Sequence, residues 1–347
     1  MMLRVGIIGF GRMGITHFSI LGNHPDVQIV SVCDTHSFMR KNAEQYFHVK
    51  AYSDYVKMLD EMELDCVLIA TPTATHKETV ECALRHQLHV FVEKPFTLSP
   101  DQGRELVSLA QEGNLVNQVG YVVRFNDVFM KVKTLLDSKA VGDLLSFRME
   151  MNGPTVLRDA KSSWRSKGES GGGCLYDFAS HGVDLVNYLV GAPDRVTGAV
   201  LQSIHSAHVE DALCTTYLYR NGLWGNLMVN WSDASYRKPM YRFEVLGRDG
   251  KIIADMHAYK VFFRYEPTTE GFSMGWNQRY ITDFAEPVRF YLRGFEFTRQ
   301  LDYFIDCILG RSQCGVSSFA SALETDTVIA RIRENAHEEE RGEKWIA

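Results

Sequence analysis

The chain has 347 residues, 45% hydrophobic and 23% charged, enough for one large or two medium globular domains. A formal net charge of -6 leaves no broad basic field for nucleic acid or an anionic membrane, and no apolar run approaches a membrane span or a signal peptide. The seven cysteines (33, 66, 82, 174, 214, 307 and 314) are odd in number, scattered and never spaced C-x-x-C. They indicate neither a disulfide framework nor a zinc ribbon, and they fit a reducing cytoplasm.

In chain order, residues 1 to about 120 alternate short β-branched runs with amphipathic helices, the cadence of a parallel α/β sheet. The strands read LRVGIIG, VQIVSVCD, LDCVLIAT, HVFVEK and LVNQVGY. Thr75 with Glu78 forms a capping-box pattern before HKETVECALRHQ, and Ser99, Pro100 and Gln102 form another before a helix ending at Gly113. Beyond Gly120 follow a helix at about 127–139, a strand SFRMEMN, a loop containing SSWRSKGESGGG and a helix at about 174–190. Alternating strands come next, with Asn221-Gly222 as a two-residue hairpin signal, and then helices at about 295–310 and 317–336. The expected fold is a doubly wound Rossmann domain, residues 1–121, followed by an α+β domain, residues 122–347, with a large, mostly antiparallel sheet.

Chemistry first enters at GFGRMG, residues 9–14, a G-x-G-x-x-G that directly follows one strand and opens a helix. Gly9 permits the turn, Gly11 lets the backbone of Phe10, Arg12 and Met13 approach a pyrophosphate, and Gly14 allows close helix packing. Asp34 ends the second strand 20 residues beyond Gly14, where a carboxylate accepts from a ribose hydroxyl. That carboxylate repels a 2'-phosphate and favours NAD over NADP, although His36, Arg40 and Lys41 lie nearby. In a parallel sheet every carboxyl end lies on one edge, so Thr71-Pro72-Thr73 and Glu93-Lys94-Pro95 join the dinucleotide crevice. Lys94 there can donate to a substrate oxygen and stabilise negative charge on it.

A second constellation lies in GGGCLYDFASHGVDLVNYLVG, residues 171–191. At 100° per residue Asp177, His181, Asp184 and Tyr188 share one stripe, and no Lys, Arg or Glu occurs between Cys174 and Val190, which argues against a solvated face. A carboxylate four residues before an imidazole suits general acid-base chemistry on a hydroxyl. His205, His208 and Glu210 read as surface polar residues rather than a metal site, and no metal is expected. Arg124 is either a substrate-pocket residue or a plain ion pair. The aromatic stretch from Phe262 to Phe297 suits ring stacking, core packing or an oligomer contact equally.

Taken together, GFGRMG, ATPTATH at 70–76, EKP at 93–95, GYVVRF at 120–125 and WR followed by GGG and D-x-x-x-H resemble the Gfo/Idh/MocA oxidoreductases. The resemblance implies a Rossmann domain and a C-terminal open sheet that forms a homodimer or homotetramer. It also implies that Lys94, Asp177 and His181 form a catalytic set like that of the inositol dehydrogenase branch, which also binds substrate. Another branch places a tyrosine where this chain has His181. Trp164 and Arg165 resemble the pair beside the nicotinamide, and Thr71, Pro72 and His76 the cofactor-side turn. The implied activity is NAD(P)-dependent hydride transfer with a secondary alcohol or ketone of a sugar, cyclitol or nucleotide-linked sugar. The alternative is a non-catalytic dinucleotide sensor or co-repressor of the same fold.

Overall fold

The structure, a computed structural model, describes residues 2–158 and 164–342. It divides into two compact units, Met1–Val122 with Pro287–Asp326, and Val123–Glu286 with Thr327–Ala347.

The first unit contains β1 (Leu3–Ile8), α1 (Arg12–Leu21), β2 (Val27–Cys33), β3 (Lys50–Tyr52), β4 (Cys66–Ile69), α2 (His76–Arg85), β5 (His89–Val92), α3 (Pro100–Glu112) and β6 (Asn117–Val119). The six strands form a parallel sheet in the order β3-β2-β1-β4-β5-β6. Its central runs Cys66–Ile69 and Val90–Val92 are wholly apolar because both faces are covered. Side chains alternate between two clusters: Val67, Ile69, Val90 and Val92 enter one, while Cys66, Leu68 and Phe91 enter the other. Each such aliphatic side chain stabilises the fold by about 1.5–3 kcal/mol relative to exposure. Strand β3, only three residues long, was beyond reach of a periodicity argument. Thr75 does not cap α2: its hydroxyl donates to Thr71 Oγ1 at 2.8 Å and Pro72 O at 2.9 Å, tightening the turn before the helix.

In the second unit, α4 (Asp127–Asp137) is followed by β7 (Leu144–Asn152), a π turn Cys174–Ala179 that continues as α5 (Ser180–Val190), and seven strands. These are β8 (Arg195–Gln202), β9 (Ala212–Leu218), β10 (Trp224–Asn230), β11 (Met240–Gly247), β12 (Gly250–Asp255), β13 (Ala258–Phe263) and β14 (Gly275–Tyr280). The eight-stranded sheet has the order β14-β13-β12-β11-β7-β10-β9-β8, antiparallel except between β7 and β10. Alternation fixes its faces. On one face Phe147, Met149, Met151, Leu227, Val229 and Phe243 are buried, and Gly182 of α5 comes close to Met151 and Leu227 because it has no side chain. The turn between β9 and β10 is longer than the two residues expected. Gly222 N donates to Tyr219 O, Tyr219 N donates to Leu223 O, and only Gly222 adopts a positive φ (86°), so the loop is Arg220 to Gly222.

Two helices follow, α6 (Phe295–Ile308) and α7 (Phe319–Gly342). The single domain boundary expected near residue 121 therefore becomes several crossings, because Pro287–Asp326 returns to the first unit. Burial drives the return: Leu301, Phe304 and Ile305 of α6 are fully buried with Val5, Ile7 and Phe91 of the sheet, and Phe304 lies 5.9 Å from the Phe91 ring. No proline- or glycine-rich linker marks residue 287, so composition gave no sign of it.

Candidate active site

In the first unit the last paired residues of five strands form one row, Cys33, Ile8, Ile69, Val92 and Val119. The residues that leave the sheet from this row, Gly9, Asp34, Ala70-Thr71-Pro72, Glu93-Lys94 and Gly120, therefore collect at one edge. The glycines of GFGRMG divide their tasks there as steric limits require. Gly9 has φ 89°, and a Cβ on it would lie 2.7 Å from the Ala70 carbonyl. A Cβ on Gly14 would run into the Gly9 carbonyl oxygen, whereas one on Gly11 would meet nothing within 4 Å. Gly11 is also the N-cap of α1 and supplies no side-chain cap, so the first amides of α1, including those of Arg12 and Met13, face this open space. A tight turn, close helix packing and an open cradle with a positive helix end are what a dinucleotide pyrophosphate requires, and the residues present fit that group.

Asp34 is held in place at the end of β2. Its Oδ2 accepts from Phe10 N at 2.8 Å and its Oδ1 from His36 N at 2.8 Å, with the side chain 12% exposed. The carboxylate thus bridges the glycine turn and retains acceptor capacity for hydroxyls. Arg40 is turned away from it: Nη1 donates to the Asp34 and Thr35 carbonyls at 2.8 Å each.

The EKP turn is gripped by two buried histidines. Glu93 Oε1 accepts from His17 Nε2 of α1 at 2.7 Å, with His17 fully buried. Burial works against ionisation of Glu93, but the hydrogen bond from His17, with the Lys94 charge and amide, outweighs it and holds the carboxyl below its usual range. His76 is also fully buried. Its Nδ1 lies 2.9 Å from Pro95 O and its Nε2 2.9 Å from Thr71 O. Burial lowers the His76 pKa, opposed by these carbonyls and that of Phe96. This placement corrects the expectation for His76. Buried between the carbonyls of Thr71 and Pro95, with the single N–H of a neutral ring to donate to one of them, it packs behind the two turns instead of facing a ligand. Lys94 stands half-buried between the buried Glu93 and Pro95.

In the second unit the helix 174–190 is buried on nearly every side, with Asp177 8% and Asp184 1% exposed, so its polar stripe is not a solvated face. Asp177 Oδ2 accepts from Arg165 Nε at 2.6 Å. Arg165 thereby belongs to the Asp177 cluster. Of Trp164 the structure describes the backbone, in a short turn Trp164–Ser166, and residues 159–163 of the preceding loop lie outside the described residues. The glycines of GGG are needed where this turn and Glu210 pass: a Cβ on Gly172 would lie 2.7 Å from Lys167 O, and one on Gly173 would strike the Glu210 carboxylate. His181 is partly exposed, its ring edge-on to Tyr241 with centroids 6.4 Å apart.

Two further expectations change. Arg124 is 4% exposed and grips Asp184 with two hydrogen bonds, Nε to Oδ2 at 2.7 Å and Nη2 to Oδ1 at 2.6 Å, with its guanidinium over the Tyr188 ring. The geometry therefore supports the ion-pair reading over a substrate contact. Glu210 is not a surface residue: Oε1 accepts from Leu175 N at 2.7 Å, its carbonyl accepts from Cys174 N at 2.9 Å, and burial raises its pKa. It anchors the start of the helix that carries Asp177 and His181. Segment 203–210 is irregular, and β9 begins only at Ala212. Among the described residues no three His, Cys, Asp or Glu side chains gather as a metal site. His17 and Glu210 were missed by sequence reasoning. A lone histidine on the buried side of α1, facing a sheet edge that carries an acid, was the available signal for the first.

Comparison with known proteins agrees with this geometry. A model of an oxidoreductase family with an NAD-binding Rossmann fold matches residues 3–121, and a GFO/IDH/MocA C-terminal domain model matches residues 129–253. The chain is 26% identical over 261 residues to myo-inositol 2-dehydrogenase of Thermotoga maritima, covering 73% of this chain and 75% of that one. It is 27% identical over 260 residues to 2,7-anhydro-N-acetylneuraminate hydratase of Escherichia coli, covering 74% and 68%. A solved levoglucosan dehydrogenase in complex with NADH and L-sorbose shares the fold, with a TM-score of 0.85 at 22% identity over 98% of both chains. With both halves matched and the glycine turn, Asp34 and the EKP strand end on one sheet edge, the chain belongs to the Gfo/Idh/MocA family of NAD-dependent oxidoreductases.

Proposed function

We propose that the protein transfers hydride between NAD and a secondary alcohol or ketone of a sugar-like polyol. The observation that carries this is Lys94, held at the carboxyl end of β5 in the same row as the glycine turn. When bound, NAD supplies the hydride acceptor or donor. In the oxidative direction His181 takes the hydroxyl proton, and Lys94 holds the oxygen as its negative charge grows. Asp177, paired with Arg165, keeps a negative charge one helical turn from His181. Thr71, Pro72 and Glu93 shape the cofactor side of the edge, with Trp164 and Arg165 assigned beside the nicotinamide by resemblance. The sensor alternative loses its ground, because matched relatives are named as enzymes. A panel of myo-inositol, scyllo-inositol, levoglucosan and nucleotide sugars, followed by nicotinamide absorbance, tests the proposal. Turnover of at least one member is expected, and none across the panel in either direction would refute the substrate class.

NAD is preferred over NADP, because Asp34 is fixed where a 2'-phosphate would meet a negative charge. Asp34→Ser narrows the difference in affinity by about 1–3 kcal/mol. Calorimetry that finds tighter NADP(H) binding in the wild type would contradict this.

The protein acts in the cytoplasm as a homodimer or homotetramer. Its seven free cysteines suit a reducing compartment, and no helix among the described residues is long and apolar enough to cross a membrane. The oligomer reading rests on the outward face of the eight-stranded sheet. One cross-strand row reads Leu218, Trp224, Ser146, Leu246, Lys251, Phe262 and Trp276. Trp224 and Trp276 in it are 50% and 56% exposed. A row of this kind, apolar apart from Ser146 and Lys251, is suited to cover by a second copy. Light scattering at micromolar concentration is expected to give a multiple of the 39.5 kDa chain mass, and a monomer would contradict it.

A further inference from the structure

We infer that His17 is a positioning residue for the reaction, acting on Lys94 through Glu93. The inference rests on the reading that Lys94 serves the reacting oxygen.

His17 lies three residues past Gly14, in the first half of α1, the helix whose N-terminus forms the dinucleotide cradle. Its ring is fully buried and edge-on to Phe91 of β5, with centroids 5.2 Å apart. A carboxylate can only accept, so the ring hydrogen sits on Nε2 and is donated to Glu93 Oε1. The other oxygen, Oε2, lies 3.3 Å from the backbone N of Lys94, the next residue. Gly120 closes the remaining side: a Cβ there would stand 3.1 Å from the carboxylate. The Glu93 side chain is thus boxed between α1, the end of β6 and the Lys94 backbone, and it can shift only by moving one of them.

Removal of the His17 donor strands a buried carboxylate. Such a group protonates or turns toward another donor. The nearest in hand is the Lys94 amide, so the backbone that carries the ammonium moves with it. His17→Leu removes the donor at similar bulk, and His17→Gln keeps an N–H that can reach the carboxylate.

The first readout needs no substrate. In the protein without ligand, amide exchange of the 93–97 turn is expected to quicken at least ~10-fold in His17→Leu and to return near wild type in His17→Gln. The second is kcat on a polyol turned over in the panel, in wild-type and Lys94→Met backgrounds, with NADH affinity followed by fluorescence. His17→Leu is expected to lower kcat ~10-fold or more in the wild-type background and less than ~2-fold beside Lys94→Met, because it acts through that lysine. NADH affinity is expected to stay within a few-fold. If His17→Leu does not fold, His17→Met, which also lacks the donor but has a more adaptable side chain, carries the same comparison with the same expectation. Equal losses in both backgrounds, or unchanged exchange of the turn, overturn the role of His17. Wild-type kcat in Lys94→Met alone instead overturns the assignment of Lys94, and the two failures are told apart.

Discussion

Lys94→Met is expected to lower kcat by ~10² to 10³, the scale of losing one transition-state hydrogen-bond donor, with folding and NADH affinity nearly unchanged. Methionine keeps an unbranched stem of similar length, and Lys94 is only half-buried, so little packing is lost. Other contacts hold the surroundings of the turn. Glu93 is held by His17, the Pro95 carbonyl by His76, and Thr97 by Asp326, whose Oδ2 accepts from Thr97 N at 2.9 Å. The defect therefore belongs to the chemical step and not to binding. His181→Gln is expected to slow turnover as well and to flatten its pH dependence near neutrality, because the proton acceptor is gone. Combined with Lys94→Met it should add less than the two single losses together, since both groups serve one oxygen. Steady-state kinetics beside NADH fluorescence titration check all three variants. A Lys94→Met enzyme within a few-fold of wild type would reduce EKP to architecture.

The second large effect separates two glycines of one motif. Gly14→Ala drives a methyl into the Gly9 carbonyl, a backbone atom that cannot swing aside, so α1 must lift from β1. The expected result is a loss of stability of about 3 kcal/mol, the upper end for overpacking, together with loss of NADH binding. Gly11→Ala meets nothing within 4 Å, and its thermal unfolding is expected to match wild type. Its methyl nonetheless occupies the space above the first amides of α1. NADH affinity should fall ~10- to 100-fold, the equivalent of one lost charge-assisted hydrogen bond. Thermal melts and NADH titrations of the pair decide it. Wild-type affinity in Gly11→Ala would mean that the open cradle is not where the pyrophosphate sits.

Much of this was legible in sequence, for a physical reason in each case. The central strands of the first unit, β4 and β5, are nearly continuous apolar runs because both sheet faces are covered. GFGRMG constrains backbone directly, so its geometry follows from residue type alone. The helix 174–190 betrayed its burial by lacking Lys, Arg and Glu, and the alternation in β9 and β10 gave the faces of the larger sheet. What escaped depends on contacts distant in sequence. Pro287–Asp326 returns to the first unit because Leu301, Phe304 and Ile305 find partners some two hundred residues away or more. Arg124 meets Asp184 across 60 residues and His17 meets Glu93 across 76, and no local pattern announces either pair. His76 was noticed as a motif residue, but only its two carbonyl partners show that it supports the turn from within. The contact of Asp177 with Arg165 likewise required the loop to fold back.

The central claim is that hydride passes between the carbinol carbon of a polyol and the nicotinamide. Its most direct test is isotopic: a polyol turned over in the panel, deuterated at its ring carbons, is incubated with the protein and NAD, and the recovered cofactor is examined by mass spectrometry. Deuterium on the nicotinamide ring of the NADH formed is the expected result. Net oxidation of the polyol to its ketone with NADH that carries no deuterium would contradict the account.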